Sequence, residues 1–203
     1  MRKIFLIVFL LIYNILLAQT NFFCFKSINI KDAFVIEKKL NSELYKDTAR
    51  VYISQDYIPN AGEIMHDLVF PYVFFRVDTS FVRPPFVEYF FSKKDSTVKL
   101  IEYTWDKVQW KMYKHDTNSD KVTEIEKIIY YNKFDSLAVQ LINILGNSTG
   151  NNGNEQFKGD GFDKYATREL IWQKNKLYVR LWMIWTGRSS SNTNRIRVTV
   201  TWL

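Results

Sequence analysis

The sequence predicts an α+β protein: an antiparallel sheet of about six strands with helices packed on one face. Three observations lead there. Residues 177–185 alternate, with Leu177, Val179, Leu181, Met183 and Trp185 on one side and Tyr178, Arg180, Trp182 and Ile184 on the other. Residues 195–202 repeat the device, setting Ile196, Val198, Val200 and Trp202 against Arg195, Arg197, Thr199 and Thr201. Side chains of a strand project to opposite faces in turn, so a period of two is a strand signature. Elsewhere the spacing is helical, as at Ala33, Ile36, Leu40 and Leu44. Aromatic residues make up 17% of the chain, enough for a dense core rather than a disordered segment.

In chain order, Met1-Arg2-Lys3 followed by the apolar run Ile4–Leu17 and the small residue Ala18 resembles a secretion signal cut before Gln19. The apolar run is short of the ~20 residues that cross a bilayer core, so no stable membrane span is expected after cleavage. The expected domains are thus a signal peptide, 1–18, and one α+β domain, 19–203. Cys24 is the only cysteine, which excludes an internal disulfide, and the residues before it lack the small side chains of a lipid-attachment site. Asn29 can cap a helix from about Lys31 to Asp47, because its side chain accepts from free amides of the first turn. Val51–Pro59 reads as a short strand or loop, and Asn60-Ala61-Gly62 as a turn.

Leu68–Asp78, Phe86–Ser92 and Thr97–Trp105 are the first three expected strands, the last two joined through the polar tip Lys93–Ser96. The alternation of Val108, Trp110 and Met112 lets the third continue toward His115. Thr117–Asp120 offers a cap for a helix whose stripe is Val122, Ile125, Ile128 and Ile129. A second helix, or a continuation beyond a kink near Asn132, carries Leu137, Leu141 and Leu145 and stops at Gly146. The Asn- and Gly-rich segment 147–161 is expected to be a mobile loop. The last three strands follow, with a tight turn at Asn175 and a polar loop over 187–194.

The halves, 29–115 and 117–203, share an order of helical material and then three strands. As pseudo-repeats they resemble the tandem helix–helix–meander arrangement of β-lactamase-inhibitor-type proteins. That likeness is one of element order and carries no site residues across.

Removing 1–18 takes away two basic residues and no acid, leaving 26 basic and 21 acidic residues, a net charge of +5. No basic run is dense enough for nucleic acid. His66-Asp67 and His115-Asp116 could each be half of an acid–base pair, but no nucleophile accompanies them. Asp160-Gly161-Phe162-Asp163 suggests a calcium loop but lacks the alternating oxygen ligands and closing glutamate. No cysteine–histidine cluster points to zinc, and no phosphate loop or serine-hydrolase elbow is present, so no metal or cofactor is expected. Asn147-Ser148-Thr149 is a glycosylation sequon that stays bare in a bacterial product.

The candidate binding residues are Tyr178, Arg180, Trp182, Arg195 and Arg197, which the alternation places on one face. Guanidinium groups over aromatic rings leave donors for an anionic or sugar-like ligand. Against this stands a ladder of cross-strand pairs satisfied among themselves. The functional expectation is an exported, non-catalytic binding or structural module of the bacterial periplasm or cell surface, its partner an envelope protein or such a ligand. The alternative is a secreted or periplasmic hydrolase with dispersed site residues, using His66 or His115.

Overall fold

The two longer helices among the described residues begin where their first free amides find a side-chain acceptor. Asn29 Oδ1 accepts from the Lys31 amide at 3.0 Å and Asp32 reaches back to the Asn29 amide, a capping box that starts α1 (Ile30–Lys39). Thr123 Oγ1 accepts from the Glu126 amide at 3.1 Å and starts α3 (Glu124–Leu145). Between them lies the single-turn α2 (Ala61–Met65). The computed structural model describes residues 22–45, 58–78, 81, 83–106, 123–161, 164–186 and 194–203. The expected leader 1–18, most of 51–59, the expected strand continuation 107–115, the expected cap at 117–120, Val122 and residues 187–193 of the expected loop lie outside the described residues.

Among the described residues, eight strands, not about six, form one antiparallel sheet: β1 (Glu43–Tyr45), β2 (Tyr72–Phe75), β3 (Phe86–Phe91), β4 (Val98–Asp106), β5 (Gln156–Lys158), β6 (Tyr165–Lys174), β7 (Leu177–Trp185) and β8 (Arg195–Trp202). Their order is β1-β2-β3-β4-β8-β7-β6-β5. Two four-strand meanders therefore meet through their last strands, and the short β1 and β5 form the outer edges. The central pairing runs from Leu100 opposite Thr201 to Asp106 opposite Arg195.

Neither additional strand carries an alternating apolar pattern. β1 occupies what the helical spacing assigned to the first helix. That helix stops at Lys39, and Asn41 turns the chain in the left-handed region at φ 54°, so Leu44 lies in a strand rather than on the helix stripe. β5 lies inside the segment expected to be a mobile loop, and all three of its residues are exposed. The loop before it is tied along β6: the Thr149 amide donates to Ile171 O at 2.7 Å and the Gly153 amide to Glu169 O at 3.0 Å.

α3 is one continuous helix rather than two, ended at Gly146 with φ +79°. Its inward face is Tyr130, Phe134, Leu137 and Leu141; Ile125 and Ile128, expected on the buried stripe, are 71% and 58% exposed. One apolar cluster joins those inward residues and Ala33 of α1 to Val87, Tyr103, Trp105, Val179, Leu181, Met183 and Val198 of the sheet. Burial of each such aliphatic side chain contributes about 1.5–3 kcal/mol. A smaller cluster gathers Ile58, Ala61, Phe90, Leu100 and Tyr178.

Candidate functional site

The strand alternation sets a polar layer on the opposite parity of the same central strands. Glu88, Glu102, Thr199 and Arg180 are successive register partners across β3, β4, β8 and β7. The next row is Thr104, Arg197, Trp182 and Glu169, and the third is Asp106, Arg195, Ile184 and Thr167. Pairing thus brings Arg180, Trp182, Arg195 and Arg197 together, as the alternation implied. Tyr178 lies on the same parity, but it packs into the apolar cluster with Ile58, Ala61, Phe90 and Leu100.

The arginines meet carboxylates. Arg195 Nε bonds Asp106 Oδ2, and Arg180 Nε bonds Glu169 Oε1. Arg197 Nη1 lies 3.3 Å from Glu102 Oε2 while its Nε donates to Thr104 Oγ1 at 3.2 Å. Neither Glu102 oxygen has a well-directed hydrogen-bond donor, so the Arg197–Glu102 attraction is Coulombic rather than a directed bond. The Arg180 guanidinium sits 5.4 Å from the centre of the Trp182 ring, and Trp182 Nε1 donates to Thr167 Oγ1 at 2.8 Å. Much of the expected ladder is therefore satisfied within the sheet.

Glu88 and Glu102 face one another directly across β3 and β4 with 3% and 0% of their surface exposed. Burial, and then the neighbouring Glu102, push the Glu88 carboxyl up to about 7; Arg197 and Arg195 oppose the shift. Glu102 is also raised, by burial above all, against the pull of Arg197, Arg195 and Arg180. Two acids so placed in a low-dielectric layer resist ionising together, so the pair retains a proton near neutral pH.

At the β5 end the layer opens into a recess lined by Asn151, Asn152, Asn154, Gln156, Lys158, Thr167, Glu169 and Trp182. Its volume is about 10 Å³, room for roughly one water molecule. Asn151 reaches it in the left-handed region at φ 57°, a conformation asparagine tolerates well, and its Nδ2 donates to Glu169 Oε2. Glu169 therefore joins the loop to the sheet, with Asn151 on one oxygen and Arg180 on the other.

The other candidates fall elsewhere. His66 is exposed just beyond α2, and its neighbour Asp67 accepts from Ser92 Oγ; His115 lies outside the described residues. Cys24 is half-buried with its amide donating to Tyr103 OH at 2.8 Å, and burial pushes its thiol up, away from the nucleophilic thiolate. Among the described residues, no three His, Cys, Asp or Glu side chains are placed to hold a metal ion, and no helix is long and apolar enough to cross a membrane. The carboxylates and the amide loop were missed from the sequence. Glu88 inside the run Phe86–Phe91 and Glu102 between Ile101 and Tyr103 were their visible signals, charges in otherwise apolar strand segments.

Comparison with family models, with curated proteins and with solved structures finds no match to this chain.

Proposed function

We propose that the chain is an exported, non-catalytic binding module of the bacterial cell envelope whose recognition surface is the Trp182 recess. In this reading the helices of two pseudo-repeats cover one face of the sheet, and the β5–β6–β7 end of the other face meets the ligand. The observation that carries it is the half-buried Trp182 indole beside four side-chain amides, Lys158 and Glu169. Amides and an indole suit hydroxyl groups and the apolar faces of a sugar ring. A sugar-like ligand is favoured over an anion because Arg180, Arg195 and Arg197 each already meet a carboxylate. The recess is far below the ~300–1,000 Å³ of pockets that enclose small molecules, which suits a shallow grip on an extended chain.

The alternative, a hydrolase, finds support in one feature, the Glu88–Glu102 pair, since two carboxyls with separated pKa values are what glycoside hydrolysis uses. Their burial keeps a substrate from the acid, and the exposed His66 lines no part of the recess.

The test is co-sedimentation of the purified protein with insoluble envelope polysaccharide. Trp182→Ala and Asn154→Ala should each weaken retention by about tenfold or more, which corresponds to ~1.4 kcal/mol, with the fold intact by circular dichroism. Equal retention of all three proteins overturns the reading.

A further inference from the structure

The outward face of α3 carries a second pattern that the sheet does not use. Ile125, Ile128, Asn132, Asp135, Val139 and Ile142 are all exposed, although four of the six are aliphatic. They are spaced three, four, three, four, three, which is the a/d repeat of a coiled-coil seam. A helix apolar on more than one side normally has neighbours on each, and α3 packs on the sheet chiefly through the face of Tyr130, Phe134, Leu137 and Leu141.

The order of residues along this seam is self-complementary. Laid antiparallel against a second α3 about a two-fold axis between Lys133 and Phe134, Ile125 meets Ile142, Ile128 meets Val139, and Asn132 meets Asp135. Each apolar residue then faces an apolar one, and the central amide faces a carboxylate that can accept from it. Arg168 Nη2 already holds Asp135 Oδ1 at 2.7 Å within its own chain, which limits repulsion between the two aspartates near the axis. A parallel pair would instead set Asp135 directly on Asp135, and antiparallel alignment also opposes the two helix dipoles.

We infer that α3 is the contact surface for a second copy of this chain, forming a two-fold symmetric, antiparallel helix pair. Such an interface is isologous: each copy presents the same patch and receives it. The helix is held in place by the sheet before the copies meet, so pairing does not bear the cost of ordering it. The inference is independent of what the Trp182 recess binds.

Sedimentation equilibrium of the full chain over about 1–100 µM tests it, the range that reads micromolar dissociation constants. Wild type should sediment as a monomer–dimer equilibrium. Ile128→Lys should raise the dissociation constant by about 100-fold or more by placing a charge in the seam, with an unchanged circular dichroism spectrum because position 128 is exposed. Adding Val139→Glu in the same chain should restore much of the dimer, since antiparallel register faces each lysine with a glutamate. A parallel register would face lysine with lysine. A wild-type protein monomeric throughout, whether or not it adsorbs to vesicles or another protein, overturns the inference. So does a dimer indifferent to Ile128→Lys, or a double variant that dissociates further than the single one.

Discussion

Trp172 and Trp182 stand on neighbouring strands of one sheet and point to opposite faces, and the contrast between them is that between the two faces. Trp172 is 1% exposed in the apolar cluster, and its Nε1 donates to Gly146 O at the end of α3. Trp182 is half-buried among arginines, amides and a glutamate. Glu102 and Thr199 are as inaccessible as Leu181 and Val198, at 0% each. Burial alone therefore does not tell what a face does. Removing apolar surface from water stabilises the first face directly. On the second, desolvating charges costs about what their pairing returns, so the charged layer selects register and partners more than it adds stability.

The largest break in that comparison is Trp172→Ala. It should cost about 3–5 kcal/mol in chemical denaturation, from the cavity and from the lost hydrogen bond to Gly146. Arg197→Ala should cost about 3 kcal/mol, because Glu102 would be left buried without its closest cation. Replacing both partners, as in Arg197→Met with Glu102→Leu, should return most of that loss; a double variant as unstable as the single one would place the layer with the apolar face in its energetics.

The pH dependence sharpens the comparison further. Glu88 is raised from 4.5 to about 7 on folding. Between those values the folded state keeps a proton that the unfolded state has released. Stability should therefore fall as pH rises from about 4.5 to about 7 and level off above, with the full contribution present only below that window. Glu88→Gln should flatten this slope in denaturation curves taken across the range. The smallest expected effect on stability is Trp182→Ala, about 1 kcal/mol from the lost bond to Thr167 and partial burial, alongside the binding loss described above.

Strands β7 and β8 were legible residue by residue, because one polar and one apolar side impose a period of two. Their register was not written in either strand alone; the pairing of Trp182 with Arg197 depends on where the 187–194 loop returns the chain. In α3 the expected inward stripe holds at Leu137, Leu141 and Leu145 but only in part at the start of the helix, where Ile129 packs against the core while Ile125 and Ile128 are exposed. Hydrophobicity reports that a side chain gains from leaving water, not which neighbour takes it in. Edge strands β1 and β5 were invisible for a related reason: they are held by backbone hydrogen bonds, which every residue type can make.

The amino-acid order by itself thus determined the α+β class, the central strand pattern, the helix caps at Asn29 and the stop at Gly146, since each rests on contacts between residues close along the chain. The joining of two meanders at β4 and β8, the facing of Glu88 on Glu102, and the meeting of the Asn151 loop with Trp182 were decided only by the tertiary structure. The first and last of those arrangements join residues tens of positions apart, and no local periodicity records which distant partner closes the sheet.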